Sequence, residues 1–379
     1  MTTVWEIPDL FQMMLSFLTS DSAKDLRLVC KNFNATCKTI DWSNFILRST
    51  YNIKETWGKA FPNTTSIEIC ICSDDEDSDK NIIYLLQEHK IYNIRISSIL
   101  NKVLCDALFH GNILRVLDIS GCCLPNLTPA FLKELKFIKV LNIAWCHGID
   151  DLNYLEGNDL EILDIQKCSS IRNIPFYPKL RVLNISRTGI TILPITYEEL
   201  DVLYVVDTLI DDYFFINFKH IGELDMRMCP NITDECKLFF KKSVRKLFIG
   251  SNNNISDKFF ENIRFEIEEL EITGCDRITG IYLHKLGIKN LFASGCSRIV
   301  NQSLALKNII ELHIQGPLIT TDGLMLLGEN IKILKMINVS ELNIGLVNLC
   351  KLESLTLIMC KDIHNLTLLI NLKKLDIFN

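Results

Sequence analysis

A block of the form apolar-x-x-Leu-x-apolar returns at steps of 20 to 24 residues through most of this 379-residue chain. The clear copies start at Leu114, Ile138, Leu160, Leu180, Leu200, Ile221, Val244, Ile267, Ile288, Ile309, Ile331, Leu352 and Leu372. Two weaker copies precede them, from Thr64 (Ile67, Ile69, Cys72) and from Ile91 (Ile94, Ile96, Ile99). A period in this range marks tandem units, each too small to bury its own apolar face, that stack into one continuous core.

Within the block, Leu-x-apolar alternates with period two and predicts a short strand with one face buried. The residues that follow turn the chain away and return it on the outer side. Strands stacked at about 4.8 Å predict a parallel sheet roughly 60 Å long, on the concave side of a curved solenoid. Eight residues after the start stands Cys122, Cys146, Cys168, Cys229, Cys275, Cys296 or Cys360, and in other copies Thr188, Thr208 or Asn252. Small side chains that can be buried and can hydrogen-bond suit a turn folding inward, so these cysteines are read as structural. Neighbouring ones would point the same way rather than at each other, which does not favour disulfides. With Ile232-Thr233-Asp234 following one such turn, the pattern resembles the cysteine-containing subclass of leucine-rich repeats. The expected fold class is an α/β repeat: a leucine-rich-repeat solenoid over residues 64–379, about 13–15 copies of 20–24 residues.

The N-terminal sequence does not fit the repeat. Ile7-Pro8-Asp9-Leu10 places a proline in a helix's first turn, where its missing N–H costs nothing. Leu10, Met14, Phe17 and Leu18 lie three or four apart and give one apolar helical face. Thr19-Ser20-Asp21-Ser22 then supplies a turn able to cap a second helix, along which Leu26, Val29, Cys30 and Phe33 recur at helical spacing. So small a module carries more apolar surface than it can hide internally. Ile7-Pro8, Phe17-Leu18, Leu26-Arg27-Leu28-Val29-Cys30-Lys31 and Trp42 resemble the F-box pattern over residues 7–45.

The expected organisation is therefore a small all-helical F-box-like module at 1–45, a linker or N-terminal cap at 46–63, and the repeats from 64 onward. That combination resembles the F-box/leucine-rich-repeat family. The resemblance implies a substrate-recognition subunit of a cullin-based ubiquitin ligase, with the F-box on the Skp-type adaptor and the repeats holding the protein substrate. It makes Ile7, Pro8, Leu10, Met14, Leu18, Leu28, Val29 and Phe33 candidates for the fold of the module and for adaptor contact. The rival reading of the same residues is a plain helical cap on a stand-alone repeat scaffold or inhibitor.

The residue between the two buried positions of each strand faces out from the sheet. Tyr204, Phe248 and Phe292 hold that place in alternate strands, about 10 Å apart, with Asp225 and Glu271 between them. Exposed aromatic side chains on a rigid sheet are common binding anchors. An acidic-aromatic stripe suits a target with basic and apolar side chains, and Trp145 and Arg227 extend it; the alternative is that the rings merely pack on one another.

Composition excludes several classes. A chain 48% hydrophobic is not disordered as a whole, and a net charge of −6 repels phosphate backbones and anionic membranes. No nucleic acid or membrane partner is expected. The first eighteen residues lack a basic start, and Glu6 and Asp9 interrupt their apolar stretch, so an intracellular location in cytoplasm or nucleus is expected. The 15 cysteines include no CxxC pair and the seven histidines are scattered, so no metal or cofactor is expected. No phosphate-binding glycine loop or nucleophile elbow points to catalysis. The run Ser73-Asp74-Asp75-Glu76-Asp77-Ser78-Asp79 reads as a solvated loop, and the last strand reads as an open sheet edge that asks for cover.

Overall fold

The computed structural model describes residues 46–49, 65–70, 83, 86, 90–97, 113–122, 129–239, 244–343 and 349–378, in two compact units that divide between Leu180 and Arg181. The helical module expected at 1–45, with Ile7, Pro8, Leu10, Met14, Leu18, Leu28, Val29 and Phe33, lies outside the described residues, as does the acidic run at 73–79.

Each unit is a leucine-rich-repeat solenoid. The first contributes β1 (Ile46–Ser49), β2 (Ser66–Cys70), β3 (Asn93–Ser97), β4 (Val116–Asp118), β5 (Val140–Asn142) and β6 (Ile162–Asp164), each parallel to the one before it. β1 falls in the segment read as linker or cap, so the sheet starts one strand ahead of the first repeat copy.

The second unit contributes β7 (Val182–Asn184), β8 (Glu199–Tyr204), β9 (His220–Asp225), β10 (Lys246–Phe248), β11 (Glu269–Glu271), β12 (Asn290–Ala293), β13 (Glu311–Gln315) and β14 (Ile333–Ile337). It continues with β15 (Ser340–Asn343), β16 (Ser354–Ile358), β17 (Lys361–His364) and β18 (Lys374–Phe378). From β7 to β14 the strands pair in parallel in chain order, and β16 and β18 extend that sheet. β15 and β17 form a separate parallel pair, where Lys361 stands opposite Ser340.

The period-two pattern is realised coil by coil. Leu117 and Ile119, Leu141 and Ile143, Leu163 and Ile165 bury both inward positions in the first unit. Leu203 and Val205, Leu224 and Met226, Leu247 and Ile249, Leu270 and Ile272 do the same in the second. Each such side chain contributes roughly 1.5–3 kcal/mol by leaving water. The outer return is made by short helical turns, among them 3-10 turns at Asp212–Phe215 and Leu283–Lys285 and an α-helical turn at Asp257–Phe260. Phe214, Phe215, Phe259 and Phe260 close the core from that side.

The turn that leaves most strands has one shape. Seven residues after the repeat start the backbone is left-handed, with φ of 65° at Trp145, 61° at Lys167, 57° at Arg187, 55° at Asp207, 58° at Met228 and 60° at Ser251. Glycine holds the same place at Gly121, Gly274 and Gly295. For an L side chain this conformation costs roughly 1–2 kcal/mol, so something must hold it. The N–H of the left-handed residue donates to the next coil: Trp145 N to Gln166 O at 2.7 Å, Asp207 N to Arg227 O at 2.9 Å and Ser251 N to Thr273 O at 2.7 Å.

The next residue is the expected cysteine, and it reaches the other way. Cys146 Sγ donates to Ile119 O at 3.1 Å, Cys168 Sγ to Ile143 O at 3.0 Å, Cys229 Sγ to Val205 O at 3.1 Å and Cys296 Sγ to Ile272 O at 2.9 Å. Each carbonyl belongs to the preceding coil and already accepts a donor of that coil, so the thiol adds a second bond that ties the two coils together. Asn252 fills the place by donating Nδ2 to Met226 O at 2.8 Å while its Oδ1 accepts from Cys229 N at 2.6 Å. Thr188 and Thr208 instead donate to the carbonyls of Ile185 and Val205, three residues back. The structural reading of the cysteines therefore holds, and the nine whose side chains are described are unbridged.

A second ladder runs along the outer side of the second unit. Asp212 accepts from Thr233 N and Oγ1 at 2.8 and 2.5 Å, Asp234 from Ser256 N and Oγ at 2.7 Å each, and Asp257 from Thr279 Oγ1 at 2.7 Å. The Ile-Thr-Asp triplet thus has a mechanical meaning: its acid holds the hydroxyl residue of the next coil.

Burial pushes the thiols of Cys146, Cys168 and Cys296 up to about 12. Unfolded thiols ionise near 9.0, so between these values the unfolded chain loses protons that the folded chain keeps, and stability falls as pH rises. Melting temperature is expected to decline steadily above about pH 9. At pH 8, iodoacetamide followed by peptide mapping should label the exposed Cys350 and leave Cys146, Cys168 and Cys296 unmodified until the chain is denatured.

Candidate functional site

The five residues of the expected stripe all lie in the second unit and share one register line. Tyr204 stands opposite Asp225, Asp225 opposite Phe248, Phe248 opposite Glu271, and Glu271 opposite Phe292. The line continues through His313, Lys335 and Thr356. Flanking it at the upstream edge are Glu223, Lys246, Glu269 and Glu311, and at the downstream edge Arg227, Gly250 and Thr273.

Acids and rings on this line do different work. In coil after coil the acid or amide folds back to accept the N–H two residues on: Asp118 from Ser120, Asn142 from Ala144, Asp164 from Gln166 and Asn184 from Ser186. This side-chain turn is local, and it favours Asp and Asn because their oxygens reach that N–H without strain. Asp225 does the same for Arg227 N at 3.2 Å. The sequence reading placed Asp225 outward as a ligand contact, but it is only 6% exposed. Arg227 covers it, with Nε and Nη2 on its two oxygens at 2.9 and 2.6 Å, a bidentate pair. The guanidinium carbon also lies 5.8 Å from the Phe248 ring centre. Its pKa is raised, first by the bond to Asp225. Asp225, Arg227 and Phe248 are therefore one built clamp of acid, cation and ring.

Glu271 repeats the turn with a longer arm. Oε1 accepts from Thr273 N at 3.0 Å, and the carboxylate folds over Gly250 in the neighbouring coil. A Cβ at Gly250 would meet Glu271 Oε1 at 2.6 Å and the Thr273 carbonyl oxygen at 2.8 Å. Oε2 accepts no hydrogen bond, and the Arg227 Nε, already committed to Asp225, stands 3.6 Å away.

The rings are half-buried, each with its own partner. Tyr204 donates its hydroxyl to Glu223 Oε1 at 2.6 Å, and burial with that carboxylate pushes the phenol above its usual range. Phe292 meets His313 edge-on, with ring centres 4.8 Å apart. His313 is 3.0 Å from Glu311, and burial outweighs that carboxylate in lowering its pKa.

Two features were not legible in the sequence. Trp145, expected to extend the patch, belongs to the first unit; it is 46% exposed at a left-handed turn, with the Lys167 ammonium 3.4 Å from its ring centre. A shallow cleft of about 500 Å³ in the second unit lies against Leu209, Met228, Pro230, Ser251 and Asn254, where three successive left-handed turns form a rim. Positive φ at Met228 carries no composition signal that could have marked it. Among the described residues no group of three or more His, Cys, Asp or Glu is placed to hold a metal, and no helix is long and apolar enough to cross a membrane.

No protein-family model and no curated protein matches the sequence. Solved structures of similar architecture include the TLR13 chain of a complex with ssRNA13, at 15% identity over 87% of this chain and 48% of that one, with a TM-score of 0.46. The functional domain of InlJ from Listeria monocytogenes, described as including a cysteine ladder, is 16% identical over 84% of this chain and 68% of its own, with a TM-score of 0.48. The leucine-rich-repeat ectodomain of the plant membrane receptor kinase GASSHO1/SCHENGEN3 from Arabidopsis thaliana is 12% identical over 87% and 54%, with a TM-score of 0.37. The chain spans about half the length of the first of these. The class, a leucine-rich-repeat solenoid, rests on the strand register, the buried pairs and the turn ladder of this chain itself.

Gly250→Ala is expected to displace Glu271 and strain the sheet, costing about 1–3 kcal/mol. A lower urea midpoint at unchanged slope would register that loss.

Proposed function

We propose that this chain is the substrate-recognition subunit of a Skp–cullin ubiquitin ligase, with residues 7–45 docking the Skp-type adaptor and the sheet face of the second unit holding the protein to be modified. The observation that carries the second half is the in-register line Tyr204–Asp225–Phe248–Glu271–Phe292, half-buried rings set between acids on a rigid parallel sheet. Rigid aromatic anchors bind at little entropic cost, which suits a receptor. The first half is supported by Ile7-Pro8, Phe17-Leu18, Leu28-Val29-Cys30-Lys31 and Trp42. Unbridged thiols fit an intracellular protein of cytoplasm or nucleus. The acidic face argues against nucleic acid as partner. The role proposed is that of a non-catalytic receptor within the ligase.

A stand-alone scaffold or inhibitor would use the same sheet face with no need of the N-terminal motif. Pull-down with purified Skp-type adaptor separates the two. The native chain is expected to retain adaptor, and a Leu18→Asp, Val29→Asp variant with an unchanged circular dichroism melt is expected to lose it at least tenfold. Failure of the native chain to retain several adaptors would hand the reading to the scaffold.

A further inference from the structure

The strands of the second unit's main sheet carry three lysines, and two of them are paired. Lys246 lies 3.3 Å from Glu223 and 3.8 Å from Glu269, and Lys374 lies 2.8 Å from Asp376. Lys335, in the middle of β14, makes neither an ion pair nor a side-chain hydrogen bond among the described residues. It is nevertheless half-buried.

The neighbours of Lys335 are set by register. It stands between His313 on β13 and Thr356 on β16. Facing positions of a parallel pair put their side chains on one side of the sheet, about 4.8 Å apart. All three residues are half-buried on that face, so each keeps an open side. The Thr356 hydroxyl, too, has no hydrogen-bond partner among the described residues. His313 is held in place, with the Phe292 ring edge-on at 4.8 Å and Glu311 Oε1 at 3.0 Å from its Nε2. That contact engages Glu311, and Lys374 engages Asp376, so neither carboxylate comes within ion-pair distance of Lys335. Along β14 the lysine is flanked at period two by Ile333, 37% exposed, and by half-buried Ile337, with Ile358 opposite the latter. An ammonium so placed has lost part of its hydration and gained no counter-charge. An anionic group arriving there would supply the missing partner, and the isoleucines would keep out water that screens the pair.

We infer that Lys335, assisted by the Thr356 hydroxyl, forms a reading site for one aspartate or glutamate side chain of a polypeptide partner. One ammonium beside one hydroxyl matches the single charge and the two acceptor oxygens of a carboxylate. A phosphate ester carries nearly twice that charge on three oxygens and calls for more than one cation. The inference rests on the sheet face being the partner-binding surface, and it adds a polarity to that surface. Strands β9 and β11 present Glu223, Asp225, Glu269 and Glu271, whereas β14 presents the unpaired cation. A partner lying along the register line therefore meets the cation at one end only, which fixes its direction.

The full chain is immobilised and panned with a phage library displaying random dodecapeptides. Enriched peptides are then resynthesised with a fluorophore, each also with its acidic residue replaced by the matching amide and by phosphoserine. Enriched sequences are expected to share one Asp or Glu at a fixed position, and the amide is expected to weaken binding about tenfold by fluorescence anisotropy. Phosphoserine is expected to bind no more tightly than the acid. Lys335→Met keeps the length of the side chain without its charge; it should weaken the acidic peptide about tenfold and leave the amide peptide unchanged. Lys335→Glu should prefer a peptide with lysine at that position over the acidic one. Circular dichroism melts confirm that both variants are folded. Enrichment without a fixed acidic residue, an equal response of acidic and amide peptides to Lys335→Met, or a tenfold gain with phosphoserine overturns the inference. In these cases Tyr204→Ala and Phe248→Ala decide the broader reading: peptide lost on these variants leaves the sheet face as the binding surface, with the carboxylate site alone rejected. Absence of any enrichment overturns both.

Discussion

Everything in this solenoid depends on how the chain leaves each strand. The turn demands a left-handed residue, and Trp145, Lys167, Arg187, Asp207, Met228 and Ser251 accept that conformation although none is glycine. They accept it because the turn's N–H is bonded forward to the next coil, as at Trp145, Asp207 and Ser251. The side chain after it is bonded backward to the previous coil where it is Cys or Asn, or to its own coil where it is Thr. Strain in one coil is thus balanced by hydrogen bonds in its neighbours, which is why a unit of some twenty residues with no autonomous core adopts a single shape.

The binding face is a by-product of the same device. Because the turn fixes where each strand ends, the residue midway along it always emerges in the same register, and side chains from distant parts of the sequence come into line. Several coils use that place for the fold, spending an Asp or Asn on the N–H two residues on. Tyr204, Phe248 and Phe292 do not serve the turn in this way. A position that is structural in some coils and aromatic in others is where a shared scaffold acquires specificity.

The repeat period, the strand positions, the inward pairs and the role of the cysteines could be read from sequence, since each is enforced identically in many copies and chance departures average out. The stripe itself was legible for the same reason. What escaped were the interactions made once. Nothing in the sequence distinguishes Asp225, neutralised by Arg227, from Glu271, whose second oxygen has no hydrogen bond: both are acids at the same repeat position. Nor does any pattern announce that Gly250 makes room for a carboxylate, because that contact joins positions 21 residues apart in one pair of coils only. The left-handed turns were hidden because the residues that occupy them are not the ones that usually do.

The bonds that join coils bear on how such a chain can change over time. Every one of them links a position to its equivalent neighbourhood one repeat away, as Trp145 to Gln166, Cys146 to Ile119 and Asp234 to Ser256. Inserting one or two residues between a strand and its turn shifts the donors of that coil out of step with acceptors on both sides. The outer return, by contrast, already varies, since the steps run from 20 to 24 residues. Duplicating or deleting a whole coil leaves each junction chemically the same as before. What is quantised in this architecture is therefore the strand and its turn: the sheet grows or shortens in complete coils, and each added coil brings one more exposed position on the face.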